Sequence, residues 1–195
     1  MYQRDPANLT TLNGVDVCVC VTGGIAAYKM CSVVSTLAQA GAVVHVAMTE
    51  EATRFVTPLT FEALAARAVH LSAWSSVDRS DPQHVRLAKA CRVVLVAPCS
   101  MDMLSRLATG RADEIVSLIV AATDRTKTPV LLAPSMNETM WKQPATQRNL
   151  AQLMSDGFQI VAPVEGWQAC RTVGDGRLPE SDDLVDSIVT ALNRA

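Results

Sequence analysis

The chain has 195 residues, a formal net charge of −2 and charges of both signs along its length, which suits one sizeable core and offers no basic face for nucleic acid. Aromatic residues make up 4% of it, too few for a base-stacking platform. No apolar run approaches the ~18 residues of a membrane span. The polar stretch over residues 1–14 has no apolar signal-peptide core and reads as a flexible leader to a single domain over 15–195. Six cysteines (18, 20, 31, 91, 99 and 170) form no CxxC pair, so they read as reduced thiols of a cytoplasmic protein, with no metal site.

In chain order, Val15–Val21 is an apolar, Val-rich run that breaks at Thr22-Gly23-Gly24, predicting a first parallel strand and a tight turn into a helix. Cys18 and Cys20 fall on one face of that strand as buried fillers. The glycines let a ligand approach the backbone, and the helix start offers N–H groups to an anion. Ile25–Ala40 carries helical spacing and stops at Gly41. Ala42–Met48 reads as strand two, and Thr49 opens a short helix with acids in its first turn. Leu59–Ala66 reads as helix, Val69–Trp74 as strand three and 75–83 as polar loop. Asp81-Pro82 starts a helix through His84 to Ala90. Arg92–Ala97 is a buried strand stopped by Pro98. Ser100–Thr109 and Ala112–Ala122 are helices parted by Gly110. Thr128–Ala133 is a strand stopped by Pro134. Helices follow over Glu138–Trp141 and Pro144–Asp156, then a last strand over Gln159–Ala162. Glu165–Glu180 is Gly-rich without periodicity, and Ser181–Leu192 is an amphipathic helix.

Strands alternating with helices across short connections predict a mostly parallel sheet covered on both faces, a three-layer α/β/α sandwich. Ligands of such sheets sit beyond the carboxyl ends of the strands. The Thr-Gly-Gly turn, Thr49, the loop at Ser100 and the loop Ser135-Met136-Asn137 all follow strands, so the fold gathers them at one edge.

Four segments occur here in an order shared by one family: VTGGIAAYK, His84 before LAKACRVVLVAP, PSMNETMW from Pro134, and GWQAC followed by GDGRL from Gly166. Over roughly residues 15–180 the chain resembles the homo-oligomeric flavin-containing cysteine decarboxylases, in particular the branch acting on 4′-phosphopantothenoylcysteine in coenzyme A biosynthesis. The resemblance implies a flavodoxin-like fold, FMN as cofactor and a homotrimer, or multiple of trimers, with sites between subunits. It places the FMN phosphate at Gly23, Gly24, Ile25 and Thr49, and the flavin along Ser100, Met101, Asp102 and Met103. Relatives usually carry Ser/Thr-Ala-Asn-Thr in that loop. Here an acid, Asp102, replaces an amide, and a negative charge beside the cofactor disfavours anionic reduced flavin.

The implied reaction moves two electrons from the substrate CH2–S group to FMN. The resulting thioaldehyde loses carbon dioxide to an enethiolate, and the electrons return to give 4′-phosphopantetheine. His84 is the implied acid/base, since an imidazole titrates near neutrality; His45 and His70 read as structural. Asn137 is by itself a good N-cap for the helix at Glu138; within the motif it is expected to bind substrate, with Met140, Ala169 and Arg171. Cys170, in a Gly-rich stretch read as a lid over 166–180, is the implied proton donor of the reductive half. Arg171 stands where relatives often have glycine. Two alternatives share these residues: a peptidyl-cysteine oxidative decarboxylase, which needs no Cys170, and an inactive flavin-binding regulatory subunit.

Overall fold

The computed structural model describes residues 10–74 and 82–194. Its elements in chain order are β1 (Asp16–Val21), α1 (Met30–Gln39), β2 (Val43–Met48), α2 (Pro58–Ala65), α3 (Gln83–Ala90), β3 (Val93–Cys99), α4 (Met101–Ala108) and α5 (Ile115–Ala122). β4 (Val130–Pro134), α6 (Glu138–Trp141), α7 (Pro144–Ser155), β5 (Gln159–Ile160), β6 (Val164–Trp167), β7 (Val173–Arg177) and α8 (Ser181–Arg194) follow. Short 3-10 helices at Ile25–Lys29 and Glu51–Arg54 follow β1 and β2.

Five parallel strands form one sheet in the order β2-β1-β3-β4-β5. That is the flavodoxin-like strand order, and the direction of winding reverses between β1 and β3. Successive strand side chains face opposite ways, which produces two apolar layers. Val17, Val19 and Val21 join Val33, Leu37, Phe61 and Ile188 on the α1, α2 and α8 face. Cys18 and Cys20 join Leu87, Leu104, Ile119 and Leu153 on the α3, α4, α5 and α7 face. Burial of Phe61 alone, with no residual exposure, is worth about 3 kcal/mol. The expected α/β/α sandwich is therefore present.

Several local expectations change. The helix expected from Ile25 begins as a 3-10 turn and becomes α-helical only at Met30. Val69–Trp74 is not a strand; His70 alone bridges to Ala47 beside β2. β3 does not stop at Pro98: it continues through a cis Ala97–Pro98 bond to Cys99, with the β3–β4 ladder shifting register between Val96 and Cys99. β5 is only two residues long. The Gly-rich stretch read as aperiodic is an antiparallel hairpin, β6–β7. Of the leader expected over 1–14, residues 1–9 lie outside the described residues, as does most of the loop expected over 75–83. Leu12 closes a 3-10 turn and is fully buried. Among the described residues no helix is long and apolar enough to cross a membrane, and no His/Cys/Asp/Glu cluster could hold a metal ion.

Candidate active site

At the carboxyl edge of the sheet, β1 is followed by Thr22, whose hydroxyl donates to Pro98 O at 2.6 Å and accepts from Ser100 N at 3.0 Å. One buried threonine thus joins the ends of β1 and β3 where the winding reverses. Gly23 follows because a Cβ there would lie 2.5 Å from Glu51 Cβ. Gly24 is extended, with no side chain capping the helix start behind it. On the β3 side Ser100 caps α4, its Oγ accepting from Met103 N at 3.2 Å.

Two adjoining cavities open along this edge. The smaller, about 460 Å³, is lined by Thr22, Gly23, Thr49, Ser100, Met101, Asp102 and Met103, with Glu51, Arg106, Glu114 and Met140. The larger, about 580 Å³, shares Gly23, Ser100, Met101 and Met140 and extends past Gly24 and Ile25 to Asn137, Ala169 and Cys170. Every expected cofactor residue lines one or both.

The departure at Asp102 has a local answer. Arg106 Nε donates to Asp102 Oδ2 at 2.7 Å, and Arg106 Nη1 reaches Asp113 Oδ1 at 2.5 Å. The hydrogen bond from Asp102 pushes the guanidinium pKa further up. The carboxylate that replaces an amide therefore stands beside a cation on its own helix, i to i+4, which offsets its field in the cavity. Glu114 is occupied elsewhere: it caps α5 through Val116 N at 2.9 Å and Ser117 N at 2.5 Å. Arg106 could have been found in sequence from its spacing to Asp102; Glu51 carries no such signal.

On the larger side Asn137 does cap α6, Oδ1 accepting from Met140 N at 2.8 Å. The cap and the binding role are compatible. Once Oδ1 is committed to the helix, the Nδ2 group is the end that can donate to an anion. The β6–β7 hairpin closes this side. Met136 N donates to Gly176 O at 3.0 Å, and Lys142, just after α6, pairs with Glu138 at 2.5 Å and with Asp175 of β7 at 3.7 Å. Cys170 Sγ lies 3.0 Å from Thr172 Oγ1 and 3.5 Å from Gln168 Oε1. At the mouth Lys29 Nζ sits 3.2 Å from Glu180, which also pairs with Arg177. Burial works to raise the Glu180 pKa, but Lys29 and Arg177 outweigh it and hold the group below its ordinary value. Trp141 packs against the core beneath and lines neither cavity.

Two expected residues stand apart from both cavities. Arg171 is exposed at the hairpin turn with φ of 66°, a conformation that suits the glycine common in relatives. His84 lies at the start of α3. Its neighbour Gln83 accepts through Oε1 from His70 Nδ1 at 2.6 Å, and His70 bridges to β2. Asn137 follows β4, whereas His70 bridges to β2, with β1 and β3 between those two strands in the sheet. Among the described residues, His84 Nδ1 is a buried ring nitrogen with no hydrogen-bond partner. The other histidines do structural work: His45 Nε2 meets Asp16 Oδ1 at 2.8 Å, and His70 meets Gln83.

The doubly wound sheet, the glycine turn and the twin cavity at the winding reversal define a nucleotide-cofactor protein of flavodoxin-like architecture. The family model described as Flavoprotein matches residues 6–193, and the chain belongs to that family. It is 42% identical over 175 residues to the coenzyme A biosynthesis bifunctional protein CoaBC of Bacillus subtilis, covering 89% of this chain and 42% of that protein. The chain thus spans about two fifths of the curated relatives it matches. Among solved structures, a PPC decarboxylase mutant complexed with pantothenoylaminoethenethiol is 28% identical with a TM-score of 0.81, covering 94% of this chain and all of the other. The FMN-dependent cysteine decarboxylase SpaF is 29% identical with a TM-score of 0.79, covering 94% and 98%.

Proposed function

We propose that the chain is an FMN-dependent decarboxylase of 4′-phosphopantothenoylcysteine that yields 4′-phosphopantetheine for coenzyme A synthesis. The observation that carries this reading is a pair of adjoining cavities with shared walls, which together run from Thr49 and the glycine turn to Asn137, Ala169 and Cys170. The residues present fit a flavin mononucleotide. The uncapped helix start at Gly24 and Ile25 suits a phosphate, and Thr49, Ser100, Met101, Asp102 and Met103 line the space beside it. FMN, when bound, takes two electrons from the substrate CH2–S carbon and returns them, so the net reaction is redox-neutral.

The remaining work belongs to side chains. Asn137 Nδ2 donates to the substrate carboxylate and holds the cysteinyl end; Met140 and Ala169 wall it from water. His84 is the acid/base that takes a substrate proton. Within one protomer His84 lines neither cavity, so His84 acts on the substrate of a neighbouring copy in a homotrimer or multiple of trimers. Exposed Ile25, Tyr28, Trp167 and Val173, on and beside the larger cavity, are the apolar surface such a neighbour covers. Cys170 Sγ gives its proton to the substrate carbon in the reductive half. The hairpin over 166–180 acts as the lid, and the enzyme works in the cytoplasm.

The peptidyl-cysteine reading is the lesser one, because an oxidative decarboxylase that stops at the enethiol has no use for a thiol lining the cavity. The test is anaerobic turnover of 4′-phosphopantothenoylcysteine by the purified yellow protein, with product mass analysis. Carbon dioxide and 4′-phosphopantetheine in equal amounts are expected, with FMN oxidised at the end. A stable enethiol product supports the peptidyl-cysteine class, and a coloured protein without turnover supports a regulatory subunit. His84→Asn abolishes carbon dioxide release, and Cys170→Ser stalls the reductive half alone.

A further inference from the structure

We propose that Gln168 is a positioning residue for the reductive half-reaction: one buried amide holds the Cys170 thiol and the Asn137 turn in a single frame and keeps the thiol proton in place. The proposal rests on the reading of Cys170 as proton donor. Gln168 follows β6 and is 7% exposed, although Ala169, Cys170 and Arg171 beside it are all exposed. A primary amide sunk this deep needs partners for its donors and its oxygen, and it has them. Nε2 donates to Asp175 O at 2.6 Å and to Gly174 O at 3.4 Å. Oε1 accepts from Glu138 N at 3.2 Å and lies 3.5 Å from Cys170 Sγ.

Three of these partners are backbone groups, and a carbonyl can only accept while an amide N–H can only donate. The side chain therefore has one orientation, with Oε1 toward the sulfur. The thiol must then be the donor in that contact, and the hydroxyl of Thr172, 3.0 Å from Sγ, supplies a proton to the sulfur. Cys170 thus has one acceptor that favours the protonated thiol and one donor that supports the thiolate left behind. In the transfer itself the S–H bond breaks, a C–H bond forms on the substrate, and the electron pair of S–H stays on sulfur. The electrons that reduce the enethiol are those FMN took in the first half. Gln168 also closes the loop by its main chain: its N donates to Thr172 O at 2.8 Å, and its O accepts from Arg171 N at 2.9 Å. Glu138, whose N–H the amide holds, adjoins Asn137. The group that directs the thiol therefore also anchors the residue that binds the substrate carboxylate.

Two near-isosteric variants of the FMN-loaded protein test this with opposite signs. The first readout is the pH midpoint for alkylation of Cys170 by iodoacetamide, followed by peptide mass analysis. Gln168→Met removes the acceptor and lowers the midpoint; Thr172→Val removes the donor and raises it. The second is the share of released carbon dioxide recovered as 4′-phosphopantetheine, which falls about fivefold in Gln168→Met, the rate equivalent of one modest hydrogen bond. Midpoints that stay put, or that move the same way in both variants, overturn the proposal. So does a loss in Gln168→Met that affects carbon dioxide and final product in equal proportion, the mark of a merely structural role. If Gln168→Met fails to fold, the sign of the Thr172→Val shift decides. A wild-type protein that releases no carbon dioxide defeats the decarboxylase reading, while the midpoints still decide on Gln168.

Discussion

Gly176→Ala is the sharpest perturbation the hairpin offers. Gly176 has φ of 108°, outside the range L-residues adopt freely, and a Cβ there would lie 2.4 Å from Met136 O. That atom is backbone, so no rotamer change relieves the contact. The substitution also disturbs the bond from Met136 N to Gly176 O. Strained backbone costs about 1–3 kcal/mol and one lost buried bond about 1 kcal/mol, for a total near 2–4 kcal/mol. Charged to the docking of the hairpin rather than to the whole fold, this raises its open population on the order of 10²-fold. Hydrogen exchange should quicken by that factor at Met136 and over 164–177, with the core strands unchanged. Product formation should fall while FMN affinity stays within about twofold of wild type, because the glycine turn follows β1 whereas the hairpin docks on the segment after β4. Gly110→Ala is the control: φ is 68° with nothing within 4 Å, so it carries only the left-handed penalty of about 1 kcal/mol. If Met136 in Gly176→Ala exchanges as slowly as in wild type, the hairpin is not held by this contact and the reasoning fails.

Arg171→Gly releases a left-handed arginine at φ of 66° and should stabilise the thiol loop by about 0.5–1 kcal/mol, seen as slower exchange over 168–173; faster exchange would mean the side chain supports the loop. Arg106→Gln leaves Asp102 without its cation and should weaken FMN binding about two- to fivefold and lower the flavin potential, with Asp102→Asn moving both the other way; flavin titration and photoreduction measure them. Mixed oligomers of His84→Asn and Cys170→Ser should regain activity that neither variant has alone, because some sites then combine an intact His84 with an intact Cys170 from different copies; no recovery would place both residues on one protomer's substrate. Burial lowers the folded pKa of His70 below its ordinary 6.5, against the hydrogen bond of Gln83. Below pH 6.5 the unfolded chain therefore binds the proton that the folded one refuses. Stability is full above 6.5 and falls as the pH drops toward the folded value. Melting temperatures between pH 8 and 5 should show this loss, reduced in His70→Gln.

The sheet was legible because its signals are local. The run from Val17 to Val21 ends at glycines, and period-two alternation sorts Val19 and Cys20 onto opposite layers. The cofactor loops followed, since a parallel sheet leaves its strand ends only one edge. The hairpin was not legible. Gly166, Gly174 and Gly176 carry no apolar pattern, and the segment is ordered by its own buried Gln168 amide and by docking on Met136 and Glu138, partners about 30–40 residues away in sequence. Pro98 read as a stop because proline removes a ladder donor, yet β3 carries on through it with a shifted register. Val69–Trp74 has the composition of a strand, but only His70 meets β2. Family position could mark His84; no local pattern could reveal that it stands at the far end of the edge from Asn137.

The two margins of the central sheet bear on how copies of this chain meet. At the β5 side the outer strand is two residues long and gives out before Pro163. At the β2 side the segment at His70 lies along the strand, with His70 N donating to Val46 O and Met48 N to His70 O. Among the described residues neither margin presents a long row of open backbone groups, the template on which sheets fuse into aggregates. At these two margins association is left to side chains, which can be tuned one residue at a time.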